Sequence, residues 1–185
     1  MPSTPPESAS RAPAGYPPRG LTFDEFELGA RFTSPARTLT EADIALFAGL
    51  TGDYNPLHCD AVSAERTHFR GRVAHGMLVQ SISTGLGWQT GIFGGTIAAL
   101  LEVSASFALP VRAGDTLQLV LEVLEREPTP GPRRGAIVLG TRVLNQRGEC
   151  VLDGRWRVLV LRRSRAPVEL AAAASPAEPR PNEES

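Results

Sequence analysis

Gly76-Met-Leu-Val-Gln-Ser-Ile-Ser-Thr-Gly-Leu-Gly-Trp88 carries small or apolar residues all the way round a helical wheel, with only Gln80, Ser81, Ser83 and Thr84 as polar positions. A helix of that composition is predicted to be buried on nearly every side. It is too short for the roughly 30 Å hydrocarbon layer of a bilayer, so the expected wrapper is protein. The chain downstream supplies one. Residues 96–109 form a continuous apolar run, residues 116–125 alternate with Leu117, Leu119, Leu121 and Val123 on one face, and residues 136–143 and 150–161 read as two further strands. Turn residues at 110–114, 128–132 and 145–148 separate them. One buried helix followed by consecutive antiparallel strands predicts an α+β domain whose curved antiparallel sheet wraps a long central helix.

Upstream, Phe23, Phe26, Leu28 and Phe32 mark the start of the apolar sequence and a first strand. Thr40 is placed to cap a helix, with Glu41 and Asp43 in its first turn and Ile44, Phe47, Ala48 and Thr51 on its inward face. Gly52 is expected to end it. The next residues carry the chemistry: Phe47-Ala-Gly-Leu-Thr-Gly-Asp-Tyr-Asn-Pro-Leu-His58 holds a carboxylate and an imidazole five positions apart across an Asn-Pro turn. Pro56 has its φ fixed and pushes Asn55 into an extended conformation, so Asp53 and His58 are set by stiff backbone. A short helix is expected over about 60–67 and a loop over 69–72.

The chain has 185 residues, enough for one domain spanning residues 21–163. Residues 1–20 and 164–185 are crowded with Pro, Ser and Ala and read as disordered tails. No signal peptide or membrane span is legible, and a net charge of −1 with scattered arginines gives no case for nucleic acid or an anionic membrane. Two cysteines, Cys59 and Cys150, make neither a disulfide framework nor a metal cluster, which points to a reduced, cytoplasmic setting.

Together the block from Phe47 to His58, the segment Arg72-Val-Ala-His-Gly-Met77 and the turn Pro110-Val-Arg-Ala-Gly-Asp115 resemble the MaoC-like dehydratases, especially the (R)-specific enoyl-CoA hydratases. The likeness runs over about residues 24–161. It implies a hot-dog fold that pairs as a homodimer or higher oligomer. It also implies reversible syn addition of water to a trans-2-enoyl thioester of CoA or acyl-carrier protein. On that likeness the active carboxylate falls on Asp53 and the histidine on His58, with Asn55 in the same turn. The amide that holds the thioester oxygen falls on Gly76, a helix serine near the site on Ser83, and the His-Gly-Met histidine, expected to brace the helix start, on His75. No cofactor is implied, since CoA or phosphopantetheine belongs to the substrate.

Hydration of an enoyl thioester needs a base to activate water at C3, an acid to protonate C2 and a donor for the charge that builds on the thioester oxygen. Asp53 and His58 can share one water, which suits syn addition, although the sequence leaves open which is base and which acid. The amide of Gly76 opens a helix and so lacks an internal partner. Taken alone, Asp53 also suits the cap of a short helix, and His58 a satisfied histidine beside a strand; the whole block favours catalysis. His68 reads as surface, and no metal is implied by the spacing of the histidines. Cys59, on a segment read as extended, is expected to point away from His58 as a buried, inert thiol. Arg66, Arg70 and Arg72 are candidate phosphate contacts. The competing readings are a hot-dog thioesterase, against which the Asp-x-Asn-Pro-x-His block discriminates, and a non-catalytic acyl-binding subunit.

Overall fold

A computed structural model describes residues 19–163. The two segments read as tails therefore lie, Arg19 and Gly20 apart, outside the described residues. In chain order the elements are β1 (Arg31–Thr33), β2 (Arg37–Thr38), α1 (Glu41–Thr51), α2 (Pro56–Cys59), α3 (Ala61–Glu65), α4 (Gly76–Gln89), β3 (Ile97–Phe107), β4 (Thr116–Pro128), β5 (Arg134–Leu144) and β6 (Cys150–Leu161). The strands form one antiparallel sheet in the order β1-β4-β5-β6-β3, with β2 also on β4. No helix among the described residues is long and apolar enough to cross a membrane.

The alternation in β4 places Leu117, Leu119, Leu121 and Val123 in the core at 1% exposure or less, each contributing about 1.5–3 kcal/mol relative to exposure. Facing them, α4 buries Leu78, Val79, Ile82 and Leu86. Gly87 lets the helix lie flush on the sheet, since a Cβ there would come within 2.8 Å of the Trp156 ring on β6. Ahead of β1, Phe23 and Phe26 plug one end of the core.

The expectation that α4 is buried on nearly every side is corrected. Met77, Ser81, Thr84, Gly85 and Trp88 are exposed and recur at helical spacing, with Met77 at 58% and Trp88 at 52%. The small residues on both faces blur the amphipathic contrast that would have revealed this stripe. At the sheet edge β3 pairs with β6 alone among the described residues, and it exposes Ile97, Leu100, Leu101 and Val103. Helix α2 was not expected, because four residues are too few to show a helical period.

Candidate active site

Three short elements place the Asp-x-Asn-Pro-x-His block. Thr40 caps α1 in a reciprocal capping box with Asp43, and Gly52 ends the helix in the left-handed region, at φ 76°, its N–H on the Ala48 carbonyl at 2.8 Å. Asn55 then caps α2 through its side-chain oxygen, which accepts the Leu57 N–H at 3.0 Å, and Pro56 takes the first helical position, where it has no N–H to lose. The cap of the following helix α3 is Asp60. Hydrogen bonds from Ser63 and from the Val62 amide hold its carboxyl below the usual carboxylate range. Capping is thus done by Asn55 and Asp60, and among the described residues the Asp53 carboxylate has only a long 3.3 Å bond from the Asn55 N–H.

His58 lies on α2 with its Nδ1 2.8 Å from the Val73 carbonyl oxygen. A carbonyl only accepts, so Nδ1 donates and Nε2 is the nitrogen left to exchange a proton. The strap 73–75 runs between the two halves of the site: Val73 N–H bonds Leu57 and Ala74 N–H bonds Val111, at 3.3 and 2.7 Å. His75, 2% exposed, ends the strap as the N-cap residue of α4. Its ring stacks on His58 with centroids 3.8 Å apart. Donor atoms of Asp53, His58 and His75 all lie within 4.8 Å of one another. The linear spacing of the histidines gave no hint of this cluster, which by composition and distance is also a set of possible metal ligands.

A cavity of about 310 Å³ opens beside the cluster, lined by His58 and Gly76 and otherwise by apolar residues that include Leu57, Phe69, Val79, Phe107, Leu109 and Val151. Asp53 is not on its wall and reaches the site beside His58. Gly76, the first residue of α4, has an N–H without an intrahelical acceptor at the cavity wall. Asn55 acts as the cap just described. Ser83 is brought elsewhere: fully buried in α4, it donates to the Gln80 carbonyl at 2.6 Å and does not line the cavity.

His68 is exposed, as read. Cys59 is exposed too, a correction, because residues 56–59 are helical and strand alternation does not apply. Arg72 pairs with Glu41 of α1 at 2.9 Å, so its charge is already matched.

Two contributors escaped the sequence reading. The Phe107 ring lies 3.2 Å from where a Cβ on Gly76 would sit and lines the same cavity. Arg112 clamps the 69–72 loop through the carbonyls of Phe69 and Arg72, while its own N–H is held by Asp115 at 2.8 Å. The Pro110–Asp115 turn carried the signal for Arg112; nothing local marked Phe107.

An antiparallel sheet packed on one long helix is the hot-dog architecture. A Mycobacterium tuberculosis protein with a double hotdog fold shares the architecture, with a TM-score of 0.69 at 24% identity over 86% of this chain and 53% of its own. The MaoC-like domain family matches residues 26–137, and the chain belongs to that family. It is 34% identical over 139 residues to an (R)-specific enoyl-CoA hydratase of Rhodospirillum rubrum, covering 75% of this chain and 90% of the relative. The crystal structure of a MaoC-like dehydratase from the same organism aligns with a TM-score of 0.70 at 31% identity, over 78% of this chain and 99% of that one. Protein MaoC of Klebsiella aerogenes is 33% identical over 73% of this chain, which spans only 37% of that relative's length.

Proposed function

We propose that the protein is an (R)-specific enoyl thioester hydratase, adding water reversibly and syn to a trans-2-enoyl thioester of CoA or acyl-carrier protein. The observation that carries this reading is that His58 and Gly76, the first residue of α4, line one apolar cavity, with the Asp53 carboxylate beside His58 and within 4.8 Å of its ring nitrogen. In that arrangement the acyl chain enters the cavity and the Gly76 N–H holds the thioester oxygen. A water bridging Asp53 and His58 Nε2 gives a proton to the basic member of the pair as its oxygen bonds C3. The electron pair moves to the thioester oxygen and returns as C2 takes a proton from the acidic member. Both new bonds form on the face that the pair occupies. The reaction needs no cofactor beyond the CoA or phosphopantetheine arm of the substrate.

The test is incubation with crotonyl-CoA while enoyl absorbance and free thiol are followed in parallel. Loss of absorbance without thiol release is expected. Thiol release in step with it would mean a thioesterase, and no change on any enoyl thioester would favour a non-catalytic acyl-binding subunit.

The same reading includes a second copy of the chain. The exposed face of α4, with Met77 and Trp88 on it, and the edge of β3, unpaired among the described residues, are the surfaces that pairing between copies would cover. Sedimentation at micromolar concentration should give a dimer or larger assembly; a fully active monomer would refute this.

A further inference from the structure

His75 is a buried, titratable side chain that the proposed chemistry does not use, and its contacts are unusual for a residue that only starts a helix. Its Nε2 lies 2.9 Å from the main-chain carbonyl oxygen of Asp53, which accepts, so Nε2 donates. Its Nδ1 is buried and has no partner among the described residues. The Phe47 ring lies 5.1 Å from the imidazole, and His58 stacks on it at 3.8 Å with the planes 29° apart.

The bond to Asp53 stands out for what surrounds it. Asp53 is exposed, and the other hydrogen bonds of the 52–55 turn are local, running to Ala48, Thr51, Leu57, His58 and Cys59 or within the turn itself. Among the described residues, the His75 Nε2 bond alone ties this turn to a distant part of the chain, 22 positions away. One ring therefore holds Asp53 through a hydrogen bond and His58 through stacking. Its own backbone leads directly into Gly76.

We propose that His75 is a positioning residue that sets the separation and orientation of Asp53 and His58 relative to the Gly76 amide, with its Nε2–H as the working atom. A misplacement of about 1 Å in a reacting group costs on the order of 100-fold in rate. The orphan Nδ1 has no part in this and need not be reproduced.

The inference rests on the hydration reading, and two readouts keep their failures apart. A glutamine amide can place an N–H near the Nε2 position, an asparagine amide near Nδ1, and leucine supplies neither. In kinetics on crotonyl-CoA, His75→Leu and His75→Asn should lower kcat by about 100-fold while KM stays within about threefold, and His75→Gln should recover to within about fivefold of the parent. Crystal structures of the same variants should show the Asp53 carbonyl displaced in the Leu and Asn forms and held in the Gln form. That readout does not depend on turnover: a parent inactive on enoyl thioesters whose Asp53 shifts in this pattern keeps the positioning role and loses the hydratase. Asp53 unmoved in all three variants, or a Gln form as impaired as the Leu form, would overturn the proposal.

Discussion

Asp53→Asn is expected to lower hydration of crotonyl-CoA by about 10²–10⁴-fold, the scale for removing a positioned acid or base, with the fold intact. The side chain is exposed and the substitution keeps its shape, including an oxygen for the Asn55 N–H, so only the proton chemistry is lost. His58 needs a finer choice of variant. Its Nδ1 bond to Val73 and its stack on His75 support the strap, and His58→Ala removes these along with the Nε2 proposed to exchange the proton. An asparagine amide can replace the Nδ1 donor while leaving nothing at Nε2. His58→Asn should therefore be as inactive as His58→Ala, at a melting temperature closer to the parent's. Retention of near-parental turnover by either Asp53→Asn or His58→Asn on every accepted substrate would remove that residue from the chemistry.

The second large effect is expected at Gly76, where the working group is a main-chain N–H. Proline deletes it. Gly76 is the first residue of α4, the one helical position that proline favours, and His75 before it already sits at φ −58° and ψ 135°, the extended conformation proline requires of its predecessor. Gly76→Pro should then fold and lose about 10²–10³-fold in kcat, the range for an oxyanion donor. The ring atoms it adds meet Phe107, 3.2 Å from a Cβ at this site, and Gly76→Ala controls for that contact while keeping the N–H. Alanine is expected to cost far less than proline. Equal losses in the two would assign the effect to crowding against Phe107 and leave the amide without a role.

What the sequence disclosed follows from how local each signal is. The Thr40 cap, the Gly52 stop, the Asn-Pro turn and the alternation of Leu117 to Val123 are written in neighbouring residues, and each appears as read. The nearness of Asp53 to His58 belongs to the same class in sequence distance, five positions across the Asn-Pro start of α2, but not in its fine geometry. His75 does not: its meeting with Asp53 depends on the strap lying between α2 and the β3–β4 connection, a tertiary fact. Phe107 shows the same limit. It ends an apolar strand in which nothing marks one residue as the neighbour of Gly76. Ser83 was drawn to the site by likeness alone, and the helix turns its hydroxyl onto its own backbone. The exposed stripe of α4 was hidden by glycine, serine and threonine, which suit a packed interface and a solvent face equally well.

Stereochemistry tests the central claim most directly. With Asp53 and His58 on one face of the enoyl plane and Gly76 fixing the thioester oxygen, hydration of crotonyl-CoA in deuterium oxide should give a single product. Its hydroxyl and deuterium should lie on the same face and its C3 should be (R), as chiral analysis of the released 3-hydroxy acid would read. An (S) product would contradict the assignment to (R)-specific hydration, and a racemic product would contradict the shared-water geometry even if Asp53 and His58 both prove essential.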